Sequence, residues 1–216
     1  MQSREFYRLF NKLLPPVLEP HGFVKDGSKK ATFYRQTEGQ VYHIITPWLT
    51  GRGGKWFDIK VLATSPLIEI NFSEEFPDYL GMPPNRMTGL KSDGMALSAS
   101  HVFRGNKSEG LIRNFNNHAK PAILKYAVPY LDDIQNLTHL RRNMMVGNHD
   151  LSYGLALWHT GKKRKARSIL LIERTKFNRY LEDALKRKKV SSRDKVIYDE
   201  SVKCYAKIVS HLDEIL

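Results

Sequence analysis

The chain of 216 residues carries 35 Lys and Arg against 22 Asp and Glu, a net charge of +13, and 41% of it is apolar. Such a length suits one compact domain or a domain with an extension, and the apolar share supports a real core. A lone cysteine, Cys204, excludes an internal disulfide framework and fits a reducing compartment; with no run of about 18 apolar residues and no secretory apolar stretch at the charged N-terminus, the chain reads as cytoplasmic, without a membrane partner.

In chain order, Ser3 is placed to cap a first helix in which Phe6, Leu9, Phe10, Leu13, Val17 and Leu18 recur at helical spacing. Pro15 and Pro16 interrupt it, so the helix kinks or restarts there, and Pro20 with Gly22 ends it. Strands are predicted over 23–25, 31–36, 41–48 and 55–63, separated by turn residues at 26–28, 38–39 and the glycine-rich 50–54. In the last of these, Phe57, Ile59 and Val61 alternate with Trp56, Asp58 and Lys60, the pattern of an antiparallel sheet with one covered face. Strands this close, without helices between them, favour a meander. Residues 73–80 read as a short helix, 82–85 as loop and 96–103 as one more strand.

From about residue 107 the pattern turns helical. Ser108 is the predicted cap of a helix striped by Leu111, Ile112, Phe115, Ala119, Ile123 and Leu124, broken or kinked at Pro121 and again at Val128-Pro129. Short helices are predicted over 137–145 and 151–159, the second capped by Asp150 and closed by Gly161. A long helix follows, striped by Ala166, Ile169, Leu170, Phe177, Leu181, Ala184 and Leu185. Ser191 with Asp194 resembles a capping box that opens the last helix. Residues 155–161 with Ala166 resemble one helix pair of a tetratricopeptide repeat; no second copy follows at the required period, so small residues here imply close packing of a few helices rather than an array.

Residues 161–195 hold 14 Lys and Arg and four acids, a net +10 of the chain's +13. Lys162, Lys163, Arg164, Lys165 and Arg167 form one cluster, and Lys186, Arg187, Lys188 and Lys189 another, bracketing the long helix. The second suits the negative end of a helix dipole. Three explanations compete: a solvated face that keeps the chain soluble, an acidic protein partner, and nucleic acid held through its phosphates. Phe177 and Tyr180 lie on or near the apolar stripe, which argues against base stacking.

The run Leu18-Glu19-Pro20-His21-Gly22-Phe23-Val24-Lys25, then Thr32-Phe33-Tyr34-Arg35, Trp56 to Val61 and Ala127-Val128-Pro129-Tyr130-Leu131, resembles a bacterial family described as domain of unknown function 4304, over roughly residues 5–140. The strand 41–48 and the stretch 82–94 depart from that pattern. The resemblance implies a small α+β domain and transfers no catalytic residues; domains of this kind often serve as immunity proteins beside toxins. The residues themselves have a structural reading: Gly22 as a C-terminal helix glycine, and Phe23, Phe33 and Phe57 as core aromatics against the first helix.

Candidate chemistry is sparse. Asp58-Ile59-Lys60 puts an acid and a lysine on one strand face, a pair that metal-dependent nucleases use, with Glu38 the nearest upstream second carboxylate; the competing reading is a solvent-facing ion pair. Gly51-Arg52-Gly53-Gly54-Lys55 fails the spacing of a phosphate loop and precedes a strand, leaving at most a weak anion site at Arg52 and Lys55. His139, His149 and His159 recur at a spacing that does not share a helix face, so no metal or other cofactor is predicted. Cys204 lies on an apolar stripe and reads as buried. The sequence thus predicts an α+β fold: an antiparallel sheet of four to five strands with helices on one face over 1–140, and an all-helical extension over 141–216. The leading function is a non-enzymatic, immunity-type or regulatory binding module for an acidic protein. Nucleic-acid binding through the basic helix and an Asp58–Lys60 nuclease are the alternatives.

Overall fold

The computed structural model describes residues 3–27, 30–50, 56–68, 91–92, 95–96, 103–104, 107–144, 151–186 and 195–216. The predicted helix over 73–80, loop over 82–85 and caps Asp150, Ser191 and Asp194 lie outside them, as does most of the strand predicted over 96–103. The chain is an α+β protein that divides into two compact units: one of residues 1–64 and 74–143, the other of 65–73 and 144–216. No helix among the described residues is long and apolar enough to cross a membrane.

In the first unit, α1 (Ser3–Leu13) stops before the prolines, and α2 (Pro15–Leu18) restarts with proline in its first turn, where a missing N–H costs no hydrogen bond. A 3-10 turn (Glu19–His21) ends at Gly22, whose φ of 78° is the left-handed cap expected there. Strands β1 (Val24–Lys25), β2 (Phe33–Gln36), β3 (Tyr42–Thr50), β4 (Trp56–Thr64) and β7 (Phe103–Arg104) form one antiparallel sheet in that order. A separate pair, β5 (Lys91–Ser92) and β6 (Met95–Ala96), is also antiparallel. Pro47 is tolerated in β3 because it lies beyond the four residues that β2 pairs with.

Register places Phe33, Ile45 and Val61 side by side on one face, with Ile59 and Phe57 further along it. This face carries the core. Phe10 of α1 meets Phe57 with ring centroids 5.2 Å apart, edge-on, and Phe115 at 5.6 Å. The opposite face departs from the expected polar surface. Ile44 and Leu62 are buried there, and so is Asp58, so the sheet is covered on both sides at this point. Ile44 and Leu62 are apolar at positions that a strict alternation reserves for solvent.

The run from α3 (Ser108–Asn114) through α4 (Lys120–Ala122) to α5 (Val128–Asp132) corrects two expectations. Pro121 and Pro129 do not break it. Each is preceded by a widened π-turn, Phe115–Ala119 and Ile123–Ala127, and backbone angles stay helical at every junction. Widening a turn moves away the carbonyl that a proline ring would strike, so the chain keeps one helical course. Ser108 is not the cap. Lys107 holds that position, and the Ser108 hydroxyl donates instead to Glu5 Oε1 of α1 at 2.6 Å. α6 (Leu137–Asn143) follows, with Asn136 Oδ1 accepting from the His139 N–H at 3.1 Å as its cap.

The second unit contains α7 (Leu151–His159), α8 (Lys163–Leu185) and α9 (Lys195–Ile215). α7 packs on α8 through small residues. Ala156 and Ala166 are fully buried, and a Cβ on Gly154 would fall 2.6 Å from Leu170 Cδ2. Gly161, at φ 80°, turns the chain between them. α9 returns along α8: Tyr205 packs against Phe177 and Tyr180, the Tyr198 hydroxyl donates to the Ala184 carbonyl at 2.6 Å, and Arg174 pairs with Asp213. Cys204 is half-buried rather than fully enclosed.

Candidate functional site

Three places bring polar chemistry together. The first is the strand pair singled out by Asp58 and Lys60. Both lie on the second sheet face, beside Trp48, the register partner of Asp58. The Lys60 ammonium sits 3.8 Å from the centre of the Trp48 ring, a cation–π contact. Burial holds the Lys60 pKa below its ordinary value, while the charge of Asp58 acts in the opposite sense. Glu38 does not join this pair. It is exposed in the turn between β2 and β3, and Tyr42 at the start of β3 is six residues along the strand from Trp48, about 20 Å at the strand rise. No group of three His, Cys, Asp or Glu among the described residues is arranged to hold a metal ion. Arg52 and Lys55 lie outside the described residues, as does His149.

The second place was not singled out from the sequence. Arg35 and His43 are register partners on β2 and β3. The Arg35 guanidinium donates through Nε to His43 Nδ1 at 3.0 Å and through Nη1 to the His21 carbonyl at 2.9 Å, and it pairs through Nη2 with Asp132 at the end of α5. It also stacks 4.6 Å over the Phe23 ring. His43 is completely buried, and its Nε2 lies 2.7 Å from the Ile134 carbonyl. An Nδ1 that accepts and an Nε2 that donates require the neutral ring. Burial dominates in pushing the His43 pKa down to about 4, helped by the Arg35 charge and opposed by the Ile134 carbonyl and Asp132. Beside this clasp the Thr37 hydroxyl donates to the Gln135 carbonyl at 2.8 Å, and Gly39 bridges to Asn136. A Cβ on Gly39 would fall 2.4 Å from the Gln135 carbonyl oxygen. The clasp ties the first hairpin to the end of the helical run. A cation and a histidine on directly facing strand positions were the available signal.

The third place is α8. Lys162 caps the helix by backbone geometry alone, without a side-chain hydrogen bond, and no acid stands in the first turn. Lys162, Lys163, Arg164, Lys165 and Arg167 are all exposed. Lys163 rests over the Trp158 ring at 3.7 Å, and Lys165 lies 5.8 Å from the Tyr153 ring. No carboxylate among the described residues pairs with any of the five. The second half of the helix is different. Lys176 pairs with the buried Glu173 at 3.2 Å, Arg179 with Asp183 at 3.9 Å, and Lys186 with Glu182 at 3.7 Å. Lys186 is the C-cap, where a cation suits the helix dipole. Arg187, Lys188 and Lys189 lie outside the described residues. Among the described residues, the cations of this helix that have no carboxylate partner are therefore concentrated at its N-terminal end, the unfavourable end for a cation. On the same outward side Leu171 and Ile172 stand 45% and 46% exposed.

No family model, curated protein or solved structure matches the chain. Its own geometry defines a class: an α+β unit closed by a buried polar clasp, and a helical unit with a strongly basic helix end.

Proposed function

We propose that this chain is a non-enzymatic binding module that recognises an acidic protein, of the immunity or regulatory type, through the first half of α8. The supporting observation is the placement, at the N-terminal end of a 23-residue helix, of five cations that have no carboxylate partner among the described residues. Each cation in the first turn costs roughly 0.3–1 kcal/mol against the dipole, so helix stability alone would not select them there. Solubility alone would be served equally by cations further along the helix, where they cost nothing. The exposed Leu171 and Ile172 beside the cluster favour a protein over a polyphosphate, which offers nothing apolar to cover them. The resemblance of residues 5–140 to the domain of unknown function 4304 family enters this proposal only as a reading of the scaffold, through the sequence motifs that carry it.

Pull-down from the native host with the full chain and with a Lys163→Glu/Arg164→Glu/Lys165→Glu/Arg167→Glu variant tests this reading. The expected result is an acidic protein retained by the parent after nuclease treatment and lost with the variant. Retention of nuclease-sensitive nucleic acid instead, or of nothing that depends on these residues, would reject it.

A further inference from the structure

We infer that the outward face of α8 between Arg164 and Arg179 docks an acidic amphipathic helix of the partner, an inference that rests on the binding-module reading and specifies its ligand. Two rows of side chains four residues apart run along this face. One is Arg164, Ser168, Ile172 and Lys176; the next is Arg167, Leu171, Thr175 and Arg179. Such rows form the ridges and grooves by which helices pack on one another. Each row begins and ends on a cation and carries one exposed aliphatic side chain and one hydroxyl residue between them. The terminal cations of a row are twelve residues apart, about 18 Å at the helical rise. The Thr175 hydroxyl is turned back onto the Leu171 carbonyl at 2.9 Å, which leaves its methyl group for a neighbour.

The occupant follows from that order. An apolar ridge fits over Leu171 and Ile172, and acids at one end of it meet Arg164 and Arg167, which have no carboxylate partner among the described residues; at the other end Lys176 and Arg179 already pair with Glu173 and Asp183 and offer the weaker contacts. A helix interior has no free backbone hydrogen-bonding groups, so an extended strand could not add to this face. A second copy of the chain would set the same cations against one another. Nucleic acid would leave both aliphatic side chains against phosphate. A membrane surface calls for a wider apolar face than two side chains, and Glu182 and Asp183 follow on the same helix.

The test uses the full chain and a labelled synthetic peptide with leucines at i, i+3, i+4 and i+7 and glutamates at both ends. A scrambled peptide of the same composition, a nucleic-acid duplex and anionic lipid vesicles serve as controls. The patterned peptide should bind about tenfold more tightly than the scrambled one, the effect of covering two half-exposed aliphatic side chains. Leu171→Ser/Ile172→Ser should abolish that preference and keep the weaker binding, whereas Arg164→Glu/Arg167→Glu should abolish binding of both peptides. All four positions are exposed, so circular dichroism should show unchanged helix content. Equal binding of the two peptides, or a preference that survives the double serine variant, overturns this inference and leaves the acidic-partner reading standing. Preference for the duplex or the vesicles, or no binding of any probe, overturns both.

Discussion

Replacing His43 by Gln should remove a specific acid sensitivity from the first unit. In the folded protein the His43 ring is neutral down to a pKa of about 4; unfolded, it titrates near 6.5. Between those values the unfolded chain takes up a proton that the folded chain refuses. The His43 contribution is therefore fully present above pH 6.5 and is lost as pH falls towards 4. Between pH 7.5 and 4.5 the loss is about 2–3 kcal/mol. Protonating Nδ1 would also point a second donor at the Arg35 Nε–H, which now donates to it across 3.0 Å. Urea unfolding at a series of pH values, in a Trp158→Phe background whose remaining tryptophans lie in the first unit, provides the assay. At pH 7.5 the Gln variant should be less stable by about 1–3 kcal/mol, because the buried hydrogen bonds are disturbed. The two stability curves should converge as pH falls, because only the parent suffers the histidine penalty. A difference between them that stays constant from pH 7.5 to 4.5 would refute the assignment of a buried neutral histidine.

Three further outcomes are expected. Arg35→Lys should destabilise the first unit by about 2–3 kcal/mol in denaturant titration, since an ammonium cannot reproduce the fork that reaches His43, the His21 carbonyl and Asp132 together. Gly39→Ala should cost about 1–3 kcal/mol, because the new Cβ meets backbone oxygen; Gly154→Ala should cost less, because it meets the movable end of Leu170 and gains up to about 1 kcal/mol of helix propensity, an order that thermal unfolding of the two variants will check. Arg164→Glu should raise the thermal stability of the helical unit by about 0.3–1 kcal/mol at low ionic strength, with the gain fading as salt is added.

Local chemistry that acts on its own neighbours was legible in the sequence. Gly22 ends its helix at positive φ, the prolines at 15 and 16 restart theirs, and the period-two pattern of 56–61 puts Asp58 and Lys60 on one face. The start of the long basic helix just after Gly161, with the cluster 162–167 at it, was readable for the same reason. Features that depend on distant residues were not. Pro121 and Pro129 look like breaks until the turns before them widen. Ser108 looks like a cap until Glu5 of α1 takes its hydroxyl. Ile44 and Leu62 interrupt an apparent solvent face because that side of the sheet is covered as well. The clasp of Arg35, His43 and Asp132 joins residues up to 97 positions apart, a relation that no local spacing encodes. At the candidate site the cluster 162–167 was visible as composition. Its lack of carboxylate partners among the described residues, and the exposed Leu171 and Ile172 beside it, emerged only from the folded helix.

The central claim is that the cations at the start of α8 serve recognition at some expense to the helix. The most direct measurement follows capture of an acidic protein from the native host and thermal stability side by side, in the parent and in Arg164→Glu/Arg167→Glu. The account predicts that capture is lost while the melting temperature is unchanged or higher. Capture that persists in the charge-reversed protein would contradict it.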